Sequence, residues 1–333
     1  MSAGWRNWSV PGPNSLRHVA ESSDSEGGTE LTALVVGFGS IGMRHHRVLT
    51  DLGCSVSVVS AREVPVTPRY GRVEEAIAAG RPGYVVVANA TSEHAATVST
   101  LADAGFSGVL LVEKPVVART EERLPPLSGP AYVGYNLRFH PLVSRLRDEL
   151  EGERVLSVHA YVGQYLPDWR PGSDYRQSYS SSRARGGGVL RDLSHELDYL
   201  TWLFGGWSAV VASGGRVSTL EIDSDDTFGV LLETPRCPVL SLQLNYLDRV
   251  ARRRVIVNTT GPSWEVDLIR GTLARNGEVE HVEVGRDHTY IAMHHAILRA
   301  GGADACTLDE GLRTVALVEA IEHSAATRAW VGA

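Results

Sequence analysis

Cysteine is scarce: Cys54, Cys237 and Cys306 are the only three in 333 residues. They are odd in number and far apart, which excludes a disulfide framework and leaves no CxxC-type metal site. A reducing cytoplasm fits such a chain. Basic charge is also short. With 32 Lys and Arg against 39 Asp and Glu, the net charge is -7. Nucleic acid and anionic membrane surfaces both demand a basic face, so neither is expected as a partner. No apolar stretch approaches the roughly 20 residues needed to span a bilayer. The N-terminal "MSAGWRNWSVPGPNSLRHVAESSDSEGGTE" lacks the apolar core of a signal peptide, and its Ser, Gly, Pro and charge read as a disordered extension, residues 1–30. No internal repeat is present.

What is there is globular. Hydrophobic residues make up 43% and charged residues 21%, and the length exceeds one ordinary core, so two domains are expected. From residue 31, short apolar runs alternate with helical patterns: strands over 32–37, 54–60, 83–90 and 108–112, helices over 40–53, 73–80 and 92–105. Ser92 has the signature of a helix N-cap, and Gly53 and Gly105 of helix ends. This rhythm implies βαβ units and a parallel sheet covered on both faces. After about residue 130 the rhythm changes. Helical patterns at 142–152, 189–205 and the closing "TLDEGLRTVALVEAIEHSAATR" frame several alternating strands, which read as an antiparallel sheet in an α+β arrangement. "TPRCP" and "RNGE" mark turns.

"VVGFGSIG" places Gly37, Gly39 and Gly42 in G-x-G-x-x-G spacing. A lone match is weak among 34 glycines, but this one follows a strand and opens a helix, the context that lets a pyrophosphate approach free N–H groups. An ordinary βα turn is the plainer alternative. The second strand ends in "SVVSAR", so Ser60 stands where an acidic residue would read the ribose of NAD, and Arg62 follows. A carboxylate would repel a 2′-phosphate and an arginine binds one, which favours NADP(H). A solvated Arg62, with NAD held otherwise, is the competing reading. "GVLLVEKP" ends an apolar strand on Glu113, Lys114 and Pro115. Lysine is costly to bury, and this one falls at a strand's carboxyl end on the edge of the glycine turn, where α/β sheets bind ligands. Pro115 cannot donate to a ladder, so it ends pairing there, and a cis bond before it would fix the turn.

These motifs together resemble the Gfo/Idh/MocA family of nicotinamide-dependent oxidoreductases. "EKP" stands behind "GFGSIG" and "NATSEH", and "GYNLRFHP", "GGGVLRDLSHELDYLTWLFG" and "DEGLRTVALVEAIEHSA" follow in order. The resemblance implies an N-terminal Rossmann domain, a doubly wound parallel sheet over 31–136, and a C-terminal α+β domain over 137–333. The second domain's large, mostly antiparallel sheet would serve substrate binding and homo-oligomer contact, as a dimer or tetramer. It implies NADP, or NAD, held by Gly37, Gly39, Ser40, Ile41, Gly42, Ser60, Arg62, Asn89, Thr91, His94, Glu113 and Lys114, and no metal. It makes Lys114 catalytic together with His195 and Asp192, although the family's usual D-x-x-x-H is here one residue shorter, and Asp198 lies equally near His195. In these roles His195 is the general acid/base, Lys114 the electrostatic partner and Asp192 the orienter of His195. Tyr165, Trp169, Asp174, Tyr175 and Arg176, with Asn136 and Arg138, are the residues expected to meet a polyhydroxylated substrate. The acidic "EIDSDD" (221–226) reads as a solvated turn. The activity implied is interconversion of a hydroxyl and a ketone on a sugar, amino sugar, nucleotide sugar or cyclitol. A relative that cleaves glycosides with bound nicotinamide, or a non-catalytic cofactor-binding regulator, are the alternatives.

Overall fold

In a computed structural model, residues 31–333 are described, and the extension expected over 1–30 lies outside them. The first sheet grows mostly from short runs rich in Val, Leu and Ala, with the polar β3 at its edge: β1 (Thr32–Val36), β2 (Ser55–Val59), β3 (Arg69–Tyr70), β4 (Tyr84–Val87), β5 (Val109–Val112) and β6 (Ala131–Val133). Leu34, Val35, Val85, Val86, Leu111 and Val112 are completely buried, and each such side chain contributes about 1.5–3 kcal/mol of hydrophobic burial. Across the sheet the order is β15-β6-β5-β4-β1-β2-β3. All pairs are parallel except that of β6 with β15 (Cys306–Thr307). The run 3-2-1-4-5-6 is the dinucleotide-binding order, with its switch point between β1 and β4. The helices α1 (Ser40–Asp51), α2 (Val73–Gly80) and α3 (Thr91–Asp103) make the connections.

The N-cap of α3 is Ala90, without a side-chain cap, rather than Ser92. The helix starts earlier than the cap signature suggests because Thr91 is already helical and buried.

After α4 (Pro141–Glu149), the second sheet is built from β7 (Val155–Gly163), β8 (Ala209–Gly215), β9 (Thr227–Thr234), β10 (Cys237–Asn245), β11 (Arg252–Thr259), β12 (Ser263–Asp267), β13 (Thr272–Arg275), β14 (Glu278–His281) and β16 (Val331–Gly332). Its order is β14-β13-β12-β11-β7-β10-β9-β8-β16, antiparallel throughout except for the parallel pair β7 and β10. Strict alternation, such as Val158, Ala160 and Val162 inward on β7 with His159 outward, leaves one face covered and one open. "RNGE" is the hairpin turn between β13 and β14, and both Asn276 and Gly277 take positive φ there.

The helix expected over 189–205 is broken into α5 (Val189–Asp192) and α6 (Ser194–Phe204), with Leu193 leaving the helical path between them. The sequence pattern also omits α7 (His288–Arg299), whose Met293 and Ile297 pack with Ala33 and Val35 of the first sheet. The last helix, α8 (Leu308–Thr327), is opened by a capping box between Thr307 and Glu310 and leads into β16.

Candidate active site

A cleft of about 990 Å³ opens at the carboxyl ends of β1, β4 and β5. Gly37 takes a φ of +93°, and a Cβ there would stand 2.6 Å from the backbone nitrogen of Asn89. At Gly42 a Cβ would meet the Gly37 carbonyl at 2.0 Å, whereas Gly39 faces open space. Those glycines therefore close the turn, pack it on the helix and leave a backbone cradle. No acidic residue occupies the first turn of α1, so its N–H groups face the cleft without a competing anion. Every expected cofactor residue lines this cleft except Gly42, which lies beneath the turn.

Two polar atoms on its walls wait for partners. Asn89 gives its amide N–H to Thr97 at 2.9 Å, and its Oδ1 is buried without a donor. His94 Nδ1 donates towards the carbonyls of Pro115 (3.1 Å) and Val116 (3.2 Å), so its buried, unpartnered Nε2 is an acceptor. Burial holds this imidazole below its ordinary range and keeps it neutral. Buried acceptors without donors fit the amide N–H and hydroxyl groups of a nicotinamide dinucleotide, and the glycine cradle its phosphates.

Lys114 follows β5 and precedes a cis peptide bond to Pro115. Its Nζ donates to the carbonyl of Asp192 at 2.8 Å and reaches that of Arg191 at 3.5 Å. This explains the broken helix. Carbonyls freed from the helical ladder at α5 accept from Lys114, and the Arg191 carbonyl also accepts from the Ser194 hydroxyl at 2.9 Å. Burial lowers the Lys114 pKa against the raising influence of Asp192 and Glu113.

Asp192 lines the cleft but does not hold His195, as a single helix would have required. Its Oδ2 accepts from the Tyr246 hydroxyl at 2.6 Å, while His195 Nδ1 is buried without a partner and the ring stands edge-on to Tyr135. The break at Leu193 separates the two residues onto different helices. Burial, with the charges of Lys114 and Arg253, pushes His195 well below the usual imidazole range.

Several substrate expectations require correction. Arg138 is 3% exposed and forks onto Asp198 at 2.7 and 2.9 Å, with Glu310 at 3.2 Å. Its charge and that of Asp198 are therefore consumed inside the core. Asn136 is likewise buried, donating to Thr289 at 2.6 Å. Tyr165 lies under the Arg249 guanidinium, 3.3 Å from its ring centroid, and Arg176 is paired with Asp174 and Glu221. Trp169 does line the cleft. With Arg170 and Ser180 it also borders a second hollow of about 320 Å³, to which Asp174 and Tyr175 contribute. "EIDSDD" is no solvated turn. Asp225 accepts the Leu190 N–H, and Asp226 accepts the N–H groups of Val217 and Ser218, so these buried carboxylates brace the loops beside α5.

Sequence reasoning missed Tyr246, Tyr179, Arg170 and Tyr290, all cleft residues or their partners. It also missed His45 and His294. The one available signal was the position of His45 among Gly42, Val48 and Leu49, the buried residues of α1.

Comparison with known proteins agrees with this architecture. Residues 143–273 match the family model for the GFO/IDH/MocA C-terminal domain. That segment is thus similar to the C-terminal domain of the Gfo/Idh/MocA family. The fold of the chain is that of GenD2 from gentamicin A biosynthesis in complex with NAD, at a TM-score of 0.75 and 24% identity over 93% of this chain and 98% of that one. Levoglucosan dehydrogenase in complex with NADH and levoglucosan superposes at 0.78 with 18% identity, over 91% and 99%. The WlbA dehydrogenase from Bordetella pertussis in complex with NADH and UDP-GlcNAcA gives 0.75 with 18% identity, over 93% and 99%. No curated protein matches the sequence. No helix among the described residues is long and apolar enough to cross a membrane, and no cluster of metal-ligating side chains is present among them.

Proposed function

We propose that this protein is a member of the Gfo/Idh/MocA family and a nicotinamide-dependent oxidoreductase that interconverts a hydroxyl and a ketone on a sugar, amino sugar, nucleotide sugar or cyclitol. The observation that carries this reading is Lys114, held at the carboxyl edge of the parallel sheet by the Asp192 carbonyl at 2.8 Å, within the same cleft as the glycine cradle. The bound nicotinamide supplies the site that gives or takes the hydride. Lys114 stabilises negative charge developing on the substrate oxygen, and His195 exchanges the hydroxyl proton. Burial, with the charges of Lys114 and Arg253, keeps this imidazole neutral, the form that takes a proton in the oxidation direction, although His195 is not among the residues that line the cleft itself. Asp192, fixed by Tyr246, acts on Lys114 rather than on His195. Levoglucosan and UDP-GlcNAcA, the ligands named for levoglucosan dehydrogenase and WlbA, favour a carbohydrate substrate.

NADP(H) is the favoured cofactor. Ser60 spends its hydroxyl on the carbonyl of Arg62 at 2.9 Å, which shapes the loop, and the Arg62 and Arg72 side chains border the cleft. Glu74, the carboxylate next to them, is paired with Arg72 at 3.0 Å. Titration should show tighter binding of NADPH than of NADH, and Arg62→Ala should narrow the gap by about 1–3 kcal/mol, the cost of losing a charged hydrogen bond. Equal affinities in the parent would remove the NADP preference. Turnover against a panel of sugars, sugar nucleotides and cyclitols tests the activity itself. The open face of the second sheet exposes Leu156, Leu231 and Val239, and we place a homo-oligomer contact there, to be checked by sedimentation.

A further inference from the structure

Behind Lys114 lies a chain of hydrogen bonds that the reaction does not call upon. The Tyr84 hydroxyl of β4 stands 2.9 Å from His294 Nδ1 on α7. His294 Nε2 stands 2.8 Å from His45 Nδ1 on α1, and His45 Nε2 stands 2.8 Å from Glu113 Oε1. Tyr84, His294 and His45 are all 0% exposed. The other carboxylate oxygen of Glu113 accepts the backbone N–H of Lys114 at 3.1 Å. Gly134 makes room for this carboxylate, since a Cβ there would lie 2.7 Å from Oε1.

Donor and acceptor matching gives the chain a direction. An ionised Glu113 only accepts, so His45 Nε2 carries a proton and its Nδ1 accepts. His294 must then donate from Nε2 and accept at Nδ1, which the Tyr84 hydroxyl satisfies. Every bond points towards Glu113, and none leads to solvent. Such a chain cannot shuttle protons out of the site, but it can hold a buried anion in one place.

We propose that His45, His294 and Tyr84 are positioning residues that keep Glu113 ionised and fixed beside Lys114, and so set the charge of the cleft's lysine. Although burial opposes charge on Glu113, the His45 bond, with help from Lys114, holds its carboxyl below the usual range. His94, Tyr84 and Tyr290 are the other titratable groups that feel this carboxylate. Lys114 itself faces Asp192, Glu113, Arg253 and Glu196. Removing the Glu113 anion therefore leaves Lys114 less support for its proton.

The sequence offers an unusually direct probe, because Lys114 is its only lysine. Full-length protein is labelled with an amine-acylating reagent across a pH series, and modification is read on the peptide containing Lys114. In His294→Leu the labelling rate near neutral pH rises roughly three- to tenfold, because more of the lysine is free amine. Turnover falls, while NADPH affinity stays near that of the parent. His294→Gln, whose amide can still donate to His45, recovers part of both effects. Tyr84→Phe removes one oxygen at nearly constant volume and moves labelling the same way by less; it decides the matter alone if His294→Leu does not fold. Labelling curves that coincide with the parent in the folded variants overturn the proposal, even if melting temperature drops. The inference rests on the oxidoreductase reading for its consequence in turnover. Labelling needs no substrate, so failure of that reading and failure of this one are seen separately.

Discussion

On the nucleotide side of the cleft, Gly37, Gly39 and the start of α1 present backbone groups within a few residues of one strand end. On the side of Lys114 the work falls to bonds between distant positions: Tyr246 to Asp192 across 54 residues, Lys114 to the Asp192 carbonyl across 78, and Arg191 to Glu322 across 131. The first wall is a local conformation that glycine spacing writes into the chain. The second exists only after the whole molecule has folded. Substitutions should therefore separate residues that touch ligand from residues that hold the second wall together.

The largest effect is expected at Arg138, which belongs to the packing and not to the substrate. Arg138→Met strands the Asp198 carboxylate in the core, and stability should fall by about 3–5 kcal/mol, the cost of breaking a buried pair. Chemical denaturation measures it. A variant of parental stability with a raised substrate KM would return Arg138 to the substrate wall.

Next come Lys114→Met and His195→Asn, each of which should lower turnover by roughly 10²-fold or more while NADPH affinity changes only a few-fold. The double variant should be little worse than the worse single, since groups acting as one unit are not additive. Turnover within a factor of two of the parent in either single variant would remove that residue from the mechanism. Loss of NADPH binding along with turnover would make Lys114 a cofactor-positioning group.

The same contrast explains what could be read in advance. The parallel sheet, its glycine turn and the strand-end lysine were legible because short-range patterning determines them: buried Val and Leu runs, glycines at fixed spacing, a proline after a strand. Asp192 lines the cleft, but its side chain is bonded to Tyr246 and not to His195. Whether a helix runs through Leu193 depends on Lys114 capturing its freed carbonyls, a contact that no local pattern contains. Arg138 and Asp198 were misplaced or left undecided for a related reason. An Arg three residues from a Pro says nothing of a carboxylate 60 positions onward. The helix α7 is not evident in the sequence although its buried positions, Thr289, Met293, His294 and Ile297, keep a helical spacing.

His140 sharpens the distinction at acid pH. Burial, with Arg253 and His288, lowers its pKa to about 4, and its Nδ1 accepts the Leu142 N–H at 3.2 Å as the cap of α4. The unfolded chain, with an ordinary pKa of about 6.5, takes up this proton first. The contribution to stability is therefore complete above about pH 6.5 and is lost as the pH falls towards 4, reaching about 2 kcal/mol at pH 5. His140→Asn keeps a cap acceptor without the titration. Urea midpoints at pH 7 and pH 5 should thus lie closer together in this variant than in the parent, and equal differences would discount the histidine.

The smallest effect is expected at Tyr246, and it tests what Asp192 does. The hydroxyl is fully buried and its pKa is pushed well above the phenolic range, first by burial and then by Asp192, so it remains a donor at any working pH. Tyr246→Phe deletes that donor with almost no change in volume. A lost hydrogen bond to a charged group is worth about 1.5–3 kcal/mol, and part of it returns if water reaches the carboxylate, so turnover should fall several-fold. If Asp192 supports Lys114, Asp192→Asn should slow turnover more than Tyr246→Phe does, and both should lose their effect in a Lys114→Met background. If Asp192 instead oriented His195, both effects would persist there and vanish in His195→Asn. Turnover measured across these double variants separates the two outcomes, and only the first is compatible with the break at Leu193 and the 2.6 Å bond from Tyr246.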